Sequence, residues 1–200
     1  MPREEQGVRI RQASIRMTTF AEPSSLAEAE LRPELPDYLR SGLRVVFVGF
    51  NPGDRSSQVG HYYAGRGNQF WNLLYESGLV NMPLKPEDDY RLLEFGIGVT
   101  DIVKRWSRSS SELRRQDYCL GIPLLREKLE RAAPRAVAFN GKGAYQQFCG
   151  RSSALGLQRD CIGRTRVFVL PSTSGRNGSL TRAQKLVHFR RLANWVRQYA

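Results

Sequence analysis

Two textures of hydrophobic and polar positions divide this chain. From residue 1 to about 40, charged and small polar residues alternate, and Pro23, Pro33 and Pro36 interrupt any helix except a short piece near Ser25 to Leu31. This part reads as a mobile N-terminal leader, residues 1–40, ahead of one domain over residues 41–200. At Leu43 the pattern changes: Leu43-Arg44-Val45-Val46-Phe47-Val48-Gly49-Phe50 is almost unbroken apolar, and Asn51-Pro52-Gly53 stops it. Such a run predicts a strand buried on both faces and closed by a turn. Gly96 to Thr100, Arg135 to Asn140 and Arg166 to Pro171 repeat the same grammar.

Helical spacing lies between these runs. Asn68 is placed to cap a helix carrying Phe70, Trp71, Leu73, Leu74 and Leu79, with Gly78 as its stop signal. Pro123 suits the first turn of a helix carrying Leu124, Leu125, Leu129 and Ala132. Thr181, with Gln184 three residues on, reads as a capping box opening a last helix whose inner face holds Leu186, Phe189, Ala193 and Val196. Strands alternating with helices predict an α/β fold, a three-layer α/β/α arrangement with a mostly parallel central sheet of four or five strands. Ligands of such sheets bind beyond the carboxyl ends of the strands. Asn51, Asp101, Asn140 and Ser172 stand there, and they are expected to converge on one crevice.

Composition narrows the partner. The 200 residues suffice for one well-buried domain, and 31 basic against 19 acidic residues leave a net charge of +12. Residues 141–200 alone hold eleven Lys or Arg against the single acid Asp160. Such a field favours a polyanion, and nucleic acid is the commonest. Cys119, Cys149 and Cys161 lie far apart without CxxC spacing, which fits reduced thiols in a cytoplasmic, nucleoid-associated protein. His61 and His188 lack further ligands at metal spacing, so no metal and no cofactor are expected. Neither an eighteen-residue apolar run nor a GxSxG or P-loop motif occurs, so no membrane partner is expected and those hydrolase classes are disfavoured.

The sharpest segment is Gly49-Phe50-Asn51-Pro52-Gly53, followed by His61-Tyr62-Tyr63-Ala64-Gly65-Arg66-Gly67-Asn68-Gln69-Phe70-Trp71. A Pro-Gly turn straight off a strand holds Asn51 at a fixed place, and an aromatic, glycine-rich loop beside it suits a flat ligand. This segment resembles the GINPG motif and following loop of the mismatch-specific uracil/thymine-DNA glycosylases, a branch of the uracil-DNA glycosylase superfamily. The blocks Phe95 to Arg105, Phe139 to Tyr145 and Leu170 to Arg176 resemble the family's second, third and fourth motifs in order. The likeness runs from about residue 43 to 197, with Phe50 where the family usually has Ile.

The resemblance implies a monofunctional glycosylase that hydrolyses the N-glycosidic bond of a flipped uracil in mismatched duplex DNA, and further thymine opposite guanine or cytosine adducts. It implies that Asn51 positions the attacking water and that Tyr63 stacks on the flipped base with its hydroxyl left wet, while Phe50 lies at the base site. An asparagine orients water but cannot deprotonate it at neutral pH, so slow turnover is expected unless a carboxylate helps. Asp101 is the candidate, with N-capping of a helix near Ile102 as its other reading; Asp54 is a weaker one. Asn140 either hydrogen-bonds near the base or closes a strand-to-helix turn. Ser172, Thr173, Ser174, Gly175 and Arg176 are expected to bind phosphates and fill the vacated stack, with Lys142 and Arg182 adding phosphate contacts. The expected partner is double-stranded DNA carrying a damaged or mismatched base, bound by a monomer. A non-catalytic lesion-binding module would use the same surface, and a phosphoesterase would need a metal-binding carboxylate cluster that the sequence does not offer.

Overall fold

The computed structural model describes residues 32–199. Five strands form one sheet in the order β2-β1-β3-β5-β4. They are β1 (Val45–Gly49), β2 (Ile97–Asp101), β3 (Ala136–Asn140), β4 (Gly156–Ile162) and β5 (Thr165–Leu170). All neighbours are parallel except the β4–β5 hairpin. Every residue of β1, β2 and β3 is buried, because alternate side chains feed two separate cores. One core joins Val45, Phe47, Ala136, Ala138 and Phe168 to helices α2 (Phe70–Glu76) and α5 (Arg182–Gln198). The other joins Val46, Val48, Val137, Phe139 and Val169 to α3 (Arg115–Ala132) and α4 (Lys142–Cys149). The expected three-layer α/β/α fold is thus observed, with a short helix α1 (Asp54–Val59) after the first turn.

The local signal holds at the start of α5, where Thr181 and Gln184 exchange side-chain-to-backbone bonds at 2.8 and 3.3 Å. At α2 the cap position falls one residue later, on Gln69, with Asn68 Oδ1 accepting from the Phe70 N–H at 3.0 Å from just outside the helix, and the helix ends at Glu76, before Leu79. Pro123 does not open its helix. Helix α3 begins eight residues earlier at Arg115, where the Asp117 carboxylate accepts from the Arg114 N–H at 2.7 Å, and Pro123 sits in its interior. Gly121, two residues before it, lies so close to the Ile102 carbonyl that a Cβ would come within 2.1 Å. Edge strand β4 was not foreseen, since its inner and outer residues alternate with polar Gln158, Arg159 and Asp160.

The last residues of the expected leader belong to the fold. Tyr38 and Val99 exchange backbone hydrogen bonds of 3.1 and 3.2 Å, Leu35 is buried, and Tyr38 donates to the buried Asp89 at 3.1 Å. The short helix near Ser25 to Leu31 lies outside the described residues. Among the described residues, no helix is long and apolar enough to cross a membrane.

Candidate active site

A cavity of about 1010 Å³ opens where β1, β2, β3 and β5 end, on both sides of the point at which the chain turns from β2 back across β1 to β3. Eleven of the residues singled out from the sequence line it, along with the weaker candidate Asp54: Phe50, Asn51, Tyr63, Asp101, Asn140, Lys142, Ser172, Thr173, Ser174, Gly175 and Arg176. They come from four strand ends and two loops. Sequence-distant side chains therefore meet because the parallel sheet aligns its carboxyl ends.

Asn51 is held by the segment that leaves β2. That segment runs beside the Asn-Pro-Gly turn, with Ile102, Val103 and Ser107 N–H groups donating to the carbonyls of Gly49, Phe50 and Pro52 at 2.9–3.1 Å. Asn51 Nδ2 donates to the Arg105 carbonyl at 3.0 Å and to Ser107 Oγ at 2.8 Å. The Ser107 hydroxyl donates onward to the Ser109 carbonyl at 2.7 Å, so it can only accept from Asn51. The amide orientation is thereby fixed, and Asn51 Oδ1 is the atom left to accept from a water.

Asp101 does not cap a helix, because the chain continues past it without one until the single 3-10 turn Ser110–Glu112. Asp101 is 5% exposed, and one carboxyl oxygen lies over Gly49, where a Cβ would come within 2.3 Å. Burial pushes the Asp101 carboxyl up from 3.8 to about 7; Lys104 opposes the shift and Asp37 adds to it. Asp54, the weaker alternative, is tied to Arg32 at 2.7 Å.

Tyr63 has a left-handed backbone (φ 55°) and lays one ring face on Phe70, with centroids 3.8 Å apart and planes 28° apart. Its hydroxyl is not wet: it is buried near Asn140 and Asp101 without meeting hydrogen-bond geometry to a partner, and burial raises its pKa. The loop that carries it is fastened by Asp89, which is fully buried and accepts from the Tyr62 N–H at 2.9 Å and faces His61 Nδ1 at 3.3 Å. Phe50 packs against Gly143 at the start of α4, where a Cβ would come within 2.9 Å of the ring.

The Asn140 side chain does not close the turn into α4 but reaches across to the loop after β5. Its Nδ2 donates to Thr173 Oγ1 at 2.8 Å and its Oδ1 accepts from the Thr173 N–H at 3.1 Å, a two-point clamp from β3 onto the loop after β5. Thr173 is accordingly buried and unavailable to a phosphate. Ser172 and Ser174 hydroxyls accept from the N–H groups two residues on, shaping the loop. The backbone of Gly175 abuts Gly67 and Arg66, leaving no room for a side chain. Arg176 stretches across the mouth to the Arg108 carbonyl at 3.0 Å, and Lys142 is exposed at the first turn of α4. Arg182 is instead paired with Glu76 and lies outside the cavity lining. Arg66, given no role within the glycine-rich loop, and Arg108, outside the motif blocks, add two exposed cations to the same rim.

Residues 36–197 match the family model described as uracil DNA glycosylase superfamily. The fold is similar to the solution structure of a protein from Methanosarcina acetivorans provisionally titled a uracil DNA glycosylase, with TM-score 0.53 and 22% identity over 81% of this chain and 98% of that one. With four-fifths of its length inside that family model, this chain belongs to the uracil DNA glycosylase superfamily.

Proposed function

We propose that this protein is a monofunctional DNA glycosylase that hydrolyses the N-glycosidic bond of flipped uracil. Its main substrate is a G·U mismatch, with G·T pairs or exocyclic cytosine adducts as further ones. One observation carries the reading: the Asn51 amide is anchored through its nitrogen in a cleft that also holds a buried carboxyl. Asn51 Oδ1 accepts a hydrogen bond from water, whose oxygen bonds to the anomeric carbon as the bond to the base nitrogen breaks. A water proton passes to Asp101, poised close to neutrality, and the base leaves with the bonding electron pair. Lys104 is committed to Asp37 and Lys142 stands at the rim, which supports water rather than an amine as nucleophile.

The rings of Tyr63 and Phe50 offer walls for the extruded base, with Asn140 holding the third side through Thr173. Extrusion costs a few kcal/mol of stacking, which contacts from Arg176, Lys142, Ser172, Ser174 and the Gly175 backbone would offset. Labelled duplexes bearing G·U, G·T and A·U, followed by alkali, test the proposal. Strand breaks only after alkali, strongest for G·U, and a fall of about 100-fold or more in Asn51→Ala are expected. Binding without base release would make the protein a lesion-binding module, and breaks without alkali would make it a lyase.

A further inference from the structure

Behind Asp101 lies a set of charges that this chemistry leaves unused. Asp37, from the segment ahead of β1, is gripped by two lysines, with Lys104 Nζ 2.5 Å from Oδ1 and Lys128 Nζ 2.6 Å from Oδ2. The Thr100 hydroxyl donates to the same Oδ1 at 2.5 Å. Lys104 further donates to the Leu35 carbonyl at 2.8 Å and to the Tyr62 hydroxyl at 3.2 Å. The Lys104 ammonium is therefore fixed from three directions by residues 35, 37 and 62. Its field reaches Asp101, three residues earlier in the chain, as does that of Asp37; Tyr62 and Tyr63 face the same carboxyl as neutral phenols.

We propose that Asp37 and Lys104 are positioning residues for the reaction: Asp37, clamped by Lys128 and Thr100, holds the Lys104 ammonium at a set place behind Asp101, close enough to favour its carboxylate and restrained from pairing with it outright. The inference rests on Asp101 being the proton acceptor. A buried carboxyl with no cation nearby stays protonated and cannot take a proton, whereas one in a direct ion pair is driven down into a range where it is a weak base. Both ammonium groups, Lys104 and Lys128, pair with Asp37, and with Asp101 ionised the four charges sum to zero. Asp37 draws Lys104 away from Asp101 while adding a negative charge of its own. Removing either member must therefore move Asp101 in opposite directions.

The experiment follows the Asp101 carboxyl by carbon NMR and, in parallel, the pH dependence of single-turnover uracil release by the full chain. Lys104→Met is expected to raise the Asp101 midpoint by about one pH unit or more, and Asp37→Asn to lower it by a similar amount. The acidic limb of the rate profile should move with each. Lys128→Met, at a half-exposed residue away from the cavity, should raise the midpoint less and serves if Lys104→Met does not fold. Midpoints that stay still, or move the same way in the Lys and Asp variants, overturn the proposal. Midpoints that move as expected while the rate profile stays still leave the tuning intact and refute Asp101 as the proton acceptor.

Discussion

Replacing Asp101 by Asn should make the protein more stable and less active at the same time. In the fold the Asp101 carboxyl titrates at about 7 instead of 3.8, chiefly because burial disfavours its charge. A difference of about three pH units corresponds to roughly 4 kcal/mol, at about 1.36 kcal/mol each. A folded value above the unfolded one means that the native state holds the proton more tightly. That contribution is complete below about pH 4 and declines as pH rises, until it is gone above about pH 7. Asparagine has nearly the same shape and no proton to lose, so it escapes the decline.

Urea unfolding of both proteins from pH 4 to 8.5 measures this directly. The variant should gain on the parent through the interval between pH 4 and 7 and then hold a constant lead of about 2–4 kcal/mol, the lower figure allowing for relaxation around the charge. Single-turnover release of uracil by the variant should fall about 100-fold or more, as expected for loss of a general base. A stability difference that does not vary with pH would refute the assignment of a raised carboxyl. A lead for the parent would mean that Lys104 more than offsets burial. Unchanged excision with the expected stability gain would remove Asp101 from the chemistry while leaving its electrostatics intact.

Three further outcomes test the rest of the site. Asn140→Ala strands the buried Thr173 N–H and hydroxyl, so the melting temperature should drop by an amount equivalent to about 1–3 kcal/mol and affinity for duplex DNA should weaken as the loop loosens. Tyr63→Phe removes an unpartnered buried hydroxyl yet keeps the ring, so denaturant titration should find it about 1 kcal/mol more stable, with base release retained if the ring alone matters. Arg176→Ala should weaken DNA binding equally across sequences and lower the slope of log affinity against log salt by about one, read by fluorescence titration at several salt concentrations.

Which parts of this arrangement were legible in the sequence follows from the range of the forces involved. The buried strands were, because Val45 to Gly49 and Ala136 to Asn140 are apolar on both faces and stop at polar residues. So was the capping by Thr181, which depends on atoms three residues away. Asn51, Asp101, Asn140 and Ser172 could be placed on one crevice because strand direction aligns them. What those side chains touch could not be read, since the Asn140–Thr173 clamp spans 33 residues and the Asn51–Ser107 bond spans 56. Strand β4 was hidden by its polar face, and α3 was misplaced because Pro123 looks like a first-turn residue whether or not a helix precedes it. The proline-rich stretch up to Tyr38 resembles a tail by composition, yet Leu35, Asp37 and Tyr38 find partners on β2, α3 and the cleft wall.

The features that local rules disfavour gather at one place. Tyr63 takes a backbone conformation rare for a side chain of its size and buries an unpaired hydroxyl, and Asp101 buries a carboxyl beside it against Gly49. Each costs about 1–4 kcal/mol, and each would be lessened by a conservative change. Around them lie interactions of the opposite kind: Asp89 with its Tyr38 and Tyr62 donors, Asn51 with Arg105 and Ser107, and Asn140 with Thr173. These satisfied, rigid contacts hold the unfavourable groups where relaxation would otherwise move them. Strain held against relief in this way marks a surface shaped for a ligand rather than for stability, because a carboxyl free to reach solvent at this cleft would be more stable and would keep its ordinary pKa.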